Sequence, residues 1–302
     1  MKELVVISGK GGTGKTSITA SFAALAKSAV VADCDVDAAD LHLLLNPSIE
    51  KTSDFSGGKK ARIITDKCIG CGKCREVCNF DAVEFDGPGN DAAKKTYRID
   101  PVACEGCSVC THYCPVEAIE FKEVINGQWF ISQTRFGPMV HARLGIAEEN
   151  SGKLVTLVRK EAKRIAEEQH KEFIIVDGSP GTGCPVIASI TGADLAVIVT
   201  EPSMTARHDL NRVAELTRHF NIPTAVCVNK CSINEELSLA IEQDTKKQNA
   251  VFLGTIPYDT EVTGAQLEAR TIIEHCNGGL KTHIESIWQA ILNMLEKSGK
   301  NQ

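Results

Sequence analysis

Residues Ser8–Thr16 read SGKGGTGKT and follow an apolar run, Leu4–Ile7, near the start of the chain. From Gly9 they match the GxxxxGK[ST] pattern of a phosphate-binding loop between a predicted strand and a predicted helix. Glycines let backbone N–H groups surround a phosphate, and the following helix N-terminus adds partial positive charge. We expect Lys15 to contact the β- and γ-phosphates and Thr16 to bind Mg²⁺. The residues predicted to bind nucleotide here are Gly9, Lys10, Gly11, Gly12, Thr13, Gly14, Lys15, Thr16 and Ser17.

A second lysine in this loop, Lys10, is not required by the general pattern. The sequence KGGxGKT resembles the deviant Walker A motif of the superfamily that contains MinD, ParA and the nitrogenase iron protein. In that superfamily the early lysine reaches the phosphates bound by the partner subunit of an ATP-dependent dimer. The resemblance therefore implies catalytic roles for both Lys10 and Lys15, whereas a solvated surface charge is the alternative for Lys10.

Two predicted strands end in carboxylates. Ala29–Ala32 leads into Asp33 and Asp35, and Phe173–Val176 leads into Asp177. Carboxylates at the C-terminal ends of parallel strands lie where open α/β sheets bind ligands. We expect Asp33 to be solvated, whereas the resemblance implies that Asp35 contacts either a Mg²⁺-bound water or the attacking water. It also implies a Mg²⁺ site formed by Thr16, Asp35 and Asp177.

The later part of the chain resembles the base-binding part of the same superfamily. Asn229 follows the apolar run Thr224–Val228 and resembles the asparagine that reads adenine. The segment Gly254–Asp259, GTIPYD, resembles the loop that closes over the base, which implies contacts from Pro257 and Asp259. The predicted fold is α/β, a P-loop NTPase with a doubly wound, mostly parallel sheet.

Eight of the 13 cysteines lie in two copies of the pattern CxxCxxCxxxC. The copies consist of Cys68, Cys71, Cys74 and Cys78, and of Cys104, Cys107, Cys110 and Cys114. The match continues beyond the sulfurs, because Ala82–Phe85 reads AVEF and Ala118–Phe121 reads AIEF, which indicates an internal duplication. Three closely spaced thiolates can bind three corners of an iron-sulfur cluster. Tetrahedral zinc is the alternative.

This spacing resembles that of a two-cluster bacterial ferredoxin. The resemblance implies one 4Fe-4S cluster on Cys68, Cys71, Cys74 and Cys114, and another on Cys104, Cys107, Cys110 and Cys78. Asn79 stands where that family has a proline, which removes no ligand. We predict a small α+β ferredoxin-like domain, 58–123, inserted into an ATPase domain made of 1–57 and 124–302. Asn46–Lys60 is interpreted as a polar boundary and Glu123–Ser132 as a hairpin.

Bulk composition limits the functional classes. A net charge of -6, with 43% hydrophobic and 24% charged residues, is ordinary for a soluble protein and gives no reason to expect nucleic acid. The first residues run directly into a predicted strand, so we expect no secretion signal and a cytoplasmic protein. The C-terminal helix lacks the basic excess of a membrane-binding helix, so we expect it to pack on the core without stable membrane insertion.

Taken together, the resemblance implies an ATPase that converts ATP and water to ADP and phosphate, with ATP, Mg²⁺ and two 4Fe-4S clusters as cofactors. Proteins of this type occur in anaerobes. The first interpretation is a homodimer, or a heterodimer with a related ATPase, that couples its nucleotide cycle to electron transfer to a redox partner. The alternative is a MinD-like positioning or assembly ATPase whose clusters are structural or redox-sensing. Cys184, seven residues after Asp177, is interpreted as a packing residue rather than a cluster ligand.

Overall fold

The computed structural model describes residues 1–145 and 151–298. The chain divides into two compact units. The larger contains Met1–Ser53, Trp129–Arg143 and the described residues from Ser151 onward; the smaller contains Asp54–Gln128 with Leu144 and Gly145. Both ends of the predicted insert, 58 and 123, lie a few residues inside the smaller unit.

A nine-stranded sheet forms the larger unit. The strands of the chain are β1 Lys2–Ser8, β2 Ala29–Asp33, β3 Ser48–Phe55, β4 Gly58–Ile63, β5 Val83–Gly87, β6 Thr96–Ile99, β7 Ile119–Val124, β8 Gly127–Thr134, β9 Gly137–Leu144, β10 Phe173–Pro180, β11 Leu195–Thr200, β12 Thr224–Val228 and β13 Val251–Thr255. Their order in this sheet is β13-β12-β11-β1-β10-β2-β9-β8-β3. From β13 through β9 every neighbouring pair is parallel, as predicted.

The central strands of the sheet carry long buried apolar runs, as expected where helices cover both faces. All six residues of β11 are buried, as are Leu4–Ile7 of β1, which is typical of a parallel strand covered on both sides. The helices are α1 Lys15–Leu25, α2 Leu41–Leu45, α3 Lys73–Glu76, α4 Val109–Tyr113, α5 Ser151–Glu168, α6 Cys184–Ile190, α7 Met204–His219, α8 Glu235–Lys247, α9 Glu261–Leu267, α10 Ile272–His275 and α11 Gly279–Ser298.

The C-terminal helix α11 packs on the core, as predicted. Ile284, Ile287 and Ile291 are buried within a large hydrophobic core cluster of the larger unit. The Trp288 ring centroid lies 5.5 Å from that of Phe22 on α1. None of the helices in the described part of the chain is long and apolar enough to span a bilayer.

One prediction for the connecting segments was wrong and another was incomplete. The boundary between the two units falls after Ser53, within Asn46–Lys60, but this stretch also contains β3, a mostly exposed edge strand whose charged residues suit a sheet edge. The segment Glu123–Ser132 is not a hairpin, because β7 pairs with β4 whereas β8 joins the large sheet. Apolar residues decide this pairing, since Ile119 lies opposite Ile63 and both pack on the core of the smaller unit.

The smaller unit contains two antiparallel ribbons, β4–β7 and β5–β6, with the short helices α3 and α4. Its described core is small and consists of Ala61, Cys74, Ala82, Val83 and Ile99. The two cysteine patterns keep the same backbone conformation at equivalent positions. Gly72 and Ser108, one residue after the second cysteine of each copy, both have left-handed φ values, 81° and 60°. The sequence duplication is thus also a structural one.

Candidate functional site

The glycine-rich loop connects β1 to α1 with a conformation that depends on glycine. Gly12 and Gly14 have φ values of 80° and 89°, in the left-handed region. A Cβ atom at Gly14 would lie 2.3 Å from Nδ2 of Asn229, and that amide donates a hydrogen bond to the Thr13 carbonyl at 2.8 Å. Asn229, predicted to read the base, therefore also contacts the loop.

Lys15 is almost completely buried among carboxylates. Its Nζ lies 2.9 Å from Oδ1 of Asp177 and 3.3 Å from Oδ2 of Asp35, so the structure brings together these three predicted residues. Burial lowers the pKa of Lys15, but the charges of Asp177 and Asp35 outweigh it and the pKa is raised. The ammonium is therefore charged and available to an anionic ligand that competes with the carboxylates.

Thr16 and Asp177 provide oxygen atoms suited to Mg²⁺. The Thr16 hydroxyl donates to Oδ2 of Asp177 at 2.9 Å, and the Thr19 hydroxyl donates to Oδ1 at the same distance. Mg²⁺ in nucleotide sites takes one or two protein ligands and completes its shell with phosphate and water oxygens. The Thr16 hydroxyl and the Asp177 carboxylate fit that requirement. Thr19, one helical turn after Lys15, was not predicted.

Asp33 contradicts its sequence-based interpretation. It was expected to be solvated, but it is completely buried and lies beside Asp177 in the register of β2 and β10. Oδ1 accepts a hydrogen bond from the Asp35 N–H at 3.2 Å, and Oδ2 has no hydrogen-bond partner among the described residues. Burial and the charge of Asp177 raise the pKa of Asp33 well above its usual value, although Lys15 opposes this shift. Because β2 and β10 are parallel neighbours and each carries an aspartate near its C-terminal end, Asp33 and Asp177 lie side by side.

Lys10 is held by its own subunit rather than solvated. Its Nζ lies 2.7 Å from Oε1 of Glu201 and donates to the hydroxyls of Ser203 and Thr205 at 3.2 and 3.4 Å. These three residues follow β11, the strand beside β1, and they were missed because no motif identifies them.

Glu201 also binds Lys230, the residue after Asn229. Nζ of Lys230 lies 3.0 Å from Oε2 of Glu201 and donates to the Gly12 carbonyl at 2.8 Å. Burial opposes ionisation of Glu201, but hydrogen bonds from Lys10 and Lys230 outweigh it and lower the pKa of the carboxyl group. Glu201 is thus an ionised bridge between two lysines.

A cavity of about 420 Å³ opens above the loop, within the size range of small-molecule binding sites. Besides the loop, its lining includes four residues that sequence reasoning missed, Asp40, Leu43, Leu44 and Gln266. The Gln266 amide donates to the Ser17 hydroxyl at 3.0 Å. Among the described residues, Pro257 and Asp259 are not part of this lining, and Oδ1 of Asp259 accepts a hydrogen bond from Glu261 N–H at the start of α9.

The first predicted cysteine set surrounds a second, small cavity of about 20 Å³ in the smaller unit. Its lining includes Cys68, Cys71, Cys74 and Cys114, together with the Tyr97 ring. The Ala118 N–H donates to Sγ of Cys114 at 3.2 Å. Three cysteines of the first copy and the last cysteine of the second thus line the same cavity.

Three cysteines of the second predicted set, Cys78, Cys104 and Cys110, pack against the core of the smaller unit. Burial, with smaller effects of negative charge on Cys104, Cys107 and Cys78, raises the pKa of the Cys110 thiol to about 11. No group of three or more His, Cys, Asp or Glu side chains in the described chain is arranged to hold a metal ion. Cys184 lies elsewhere, exposed at the start of α6 in the larger unit.

Known proteins match this chain over most of its length. An uncharacterized protein of Methanocaldococcus jannaschii is 35% identical over 235 residues, which cover 77% of this chain and 79% of that protein. A second uncharacterized protein of this organism is 26% identical over 320 residues and covers 95% and 97% of the two chains.

Solved MinD structures share the fold. MinD of Pyrococcus horikoshii, solved with Mg-ADP, is 15% identical, covers 98% of both chains and gives a TM-score of 0.58. The MinC:MinD complex of Aquifex aeolicus is 17% identical, covers 97% of this chain and 96% of that chain, and gives a TM-score of 0.56. A model of the CobQ/CobB/MinD/ParA nucleotide binding domain matches residues 4–272. With the loop, its lysines and the strand-end acids in one site, the chain belongs to the CobQ/CobB/MinD/ParA nucleotide-binding family.

Proposed function

We propose that this protein is a MinD-like ATPase that dimerises on ATP and thereby controls its association with a partner protein. The observation that carries the proposal is the convergence of Lys15, Asp35 and Asp177 beside the glycine-rich loop. A related MinD fold is known in complex with MinC, which supports action through a partner. The dimer contains two copies of this chain, or one copy with a related subunit, and acts in the cytoplasm.

The residues of the site have distinct roles in the proposed reaction. Lys15 and the loop N–H groups bind the β- and γ-phosphates, and Asp35 orients the attacking water for in-line displacement. Thr16 and Asp177 hold Mg²⁺, with Asp35 close by, and the ion when bound offsets phosphate charge. Lys10 of each subunit contacts the phosphates held by the other. Asn229, Pro257 and Asp259 contact the base.

We further propose that the smaller unit holds two 4Fe-4S clusters with a structural or redox-sensing role. Two observations support this assignment. Four cysteines from both copies line one cavity, and the small described core offers little apolar burial to stabilise a separate unit. A 4Fe-4S cluster is larger than a single ion, so its ligands need not meet at one point. Thiolate ligands also suit the reducing cytoplasm.

A second candidate function is ATP-gated electron transfer to a redox partner. It is favoured by the exposure of Cys71 and Cys107, one cysteine in each proposed ligand set, because exposure near both sets would give a partner access. The two functions are separable by experiment. Reduction potentials and electron transfer to an acceptor, measured with and without an ATP analogue, should change under this second function and stay constant under the first.

The ATPase proposal is tested with anaerobically purified protein. We expect Lys15→Ala and Lys10→Ala each to reduce the rate of ATP hydrolysis about a hundredfold or more, since each removes charge stabilisation of the transferred phosphoryl group. Lys246→Ala, which removes a surface lysine from α8, is the matched control and should hydrolyse ATP normally. Normal hydrolysis by both loop variants would disprove the proposed mechanism.

A further inference from the structure

Lys10 has a complete set of partners within its own subunit. An ammonium group has three N–H donors, and the Nζ of Lys10 has three acceptors within 3.4 Å, on Glu201, Ser203 and Thr205. Its side chain is 30% exposed and that of Glu201 is 19% exposed, so water only partly screens the charge pair. Before it can contact phosphates on another subunit, Lys10 must give up these contacts.

The same contacts connect Lys10 to two other parts of the site. The Ser203 hydroxyl accepts a hydrogen bond from Ala206 N–H and so caps α7, which begins at the next residue. The second carboxylate oxygen of Glu201 binds Lys230, whose ammonium also contacts the Gly12 carbonyl. Glu201 can therefore release Lys10 and keep its other cation partner.

We propose that Glu201 is a positioning residue that retains Lys10 on its own subunit, so that dimer closure exchanges the Glu201 carboxylate for a phosphate of the partner. The proposal rests on the dimerising function proposed above and adds to it the residue that opposes closure. Glu201 thereby sets the concentration at which ATP-bound subunits pair. A dimer of two copies contains two such lysines, so the cost of releasing Lys10 from Glu201 is counted twice in the free energy of dimerisation.

The test uses Glu201→Gln, which keeps the shape of the side chain and removes its charge. Glu242→Gln is the matched control, because it removes the same charge from an exposed pair with Lys246 on α8. Dimerisation is measured by sedimentation velocity with Mg²⁺ and a non-hydrolysable ATP analogue, and site integrity by ADP affinity. A partly screened ion pair changes an equilibrium by about threefold, and a dimer breaks two of them, so we expect about tenfold tighter dimerisation for Glu201→Gln. Glu242→Gln should match the wild type.

A second measurement needs no dimer. In nucleotide-free protein, brief acetylation followed by mass spectrometry reports the accessibility of the Lys10 amine. We expect Lys10 to be modified several times faster in Glu201→Gln than in the wild type or Glu242→Gln, and Lys246 to react equally in wild type and Glu201→Gln. The acetylation rate therefore tests the contact between Glu201 and Lys10. It does not depend on the second contact of Glu201, in which Lys230 supports the loop at Gly12.

The outcomes separate the two proposals. If the wild type does not dimerise with the analogue, the dimerising function is wrong, and the acetylation rate still tests the contact between Glu201 and Lys10. If the wild type dimerises but Glu201→Gln pairs equally or more weakly, the role of Glu201 is wrong and the dimerising function stands. If Glu201→Gln no longer binds ADP, the main role of Glu201 is to support the phosphate-binding loop through Lys230, and the inference is also wrong.

Discussion

Gly14 illustrates how one backbone position determines the shape of the nucleotide site. Its φ of 89° is costly for any residue with a Cβ atom, and such an atom would lie 2.3 Å from the Asn229 amide. That amide holds the Thr13 carbonyl, so displacing it would alter the loop itself. Two separate effects thus favour glycine here.

We expect Gly14→Ala to destabilise the nucleotide-free protein by about 2–3 kcal/mol, from backbone strain and the displaced Asn229 side chain. Gly11→Ala is the matched control in the same loop, because a Cβ atom there would meet nothing within 4 Å among the described residues. Urea unfolding followed by tryptophan fluorescence checks both variants. Equal stability of the two would show that the loop adapts to a side chain at Gly14.

His141 is a buried base that makes the larger unit sensitive to acid. Its Nε2 lies 2.8 Å from the Ser132 hydroxyl, and burial, with a smaller effect of His42, lowers the pKa of His141 to about 4. The unfolded chain takes up this proton near pH 6.5, so it binds more protons than the folded chain between pH 6.5 and 4. Folding stability should therefore fall by about 3 kcal/mol as the pH drops through this window.

His141→Gln removes the titrating group and retains an amide that can bond to Ser132. Its stability should vary less between pH 6.5 and 4 than that of the wild type, as measured by urea unfolding at several pH values. His208→Gln, at a side chain that is 74% exposed on α7, should leave the wild-type curve unchanged. Identical curves for His141→Gln and the wild type would contradict this account.

At the scale of elements, Arg135 fixes the end of the short helix α2. Its guanidinium donates to the carbonyls of Leu44 and Leu45 at 2.8 and 2.9 Å and forms an ion pair with Glu274 on α10 at 2.7 Å. The terminal carbonyls of a helix lack partners within the helix, and here one planar group satisfies two of them. Leu44 also lines the nucleotide cavity, so Arg135 supports one of its walls.

We expect Arg135→Lys to reduce the free energy of unfolding by about 1–3 kcal/mol, since a lysine cannot reproduce the planar set of hydrogen bonds. Urea unfolding of the nucleotide-free protein measures this change. Arg164→Lys on α5, where a 45% exposed arginine pairs with Glu161 and Glu168 of the same helix, should change stability by less than about 0.5 kcal/mol. A change at Arg135 no larger than at Arg164 would show that α2 does not depend on this contact.

The parallel strands β1, β2, β10 and β12 were predictable because each is a short apolar run that ends near a recognisable residue. Asp177 after Phe173–Val176 is the clearest case. β3 was missed because its exposed residues carry no apolar pattern, and the pairing of β7 with β4 was missed because the partner lies more than 50 residues away. A local residue pattern identifies a strand. Which strand it pairs with depends on apolar residues that are distant in the sequence and become buried together, such as Ile63 and Ile119.

At the scale of the whole molecule, strand order explains which parts of the site the sequence could not predict. Lys15 belongs to a motif and was predicted, but Glu201 and Lys230 follow β11 and β12, far along the chain. They reach the loop because β11 lies beside β1 and β12 beside β11. The same arrangement buries Asp33 next to Asp177. Contacts of this kind follow from topology, which residue spacing alone does not reveal.

The two units should respond differently to loss of the proposed clusters, because the described core of the larger unit is far more extensive than that of the smaller. We expect Cys74→Ser with Cys110→Ser to lower iron content and to expose β4–β7 to hydrogen exchange, since five buried residues form the described core of the smaller unit. The central strands β1, β10 and β11 should stay protected and ADP binding should persist.

Cys184→Ser, at an exposed cysteine of the larger unit, is the control and should match the wild type in both units. Full protection of β4–β7 in an iron-depleted double variant would mean that the clusters do not stabilise the smaller unit, and would leave redox sensing or electron transfer as their role.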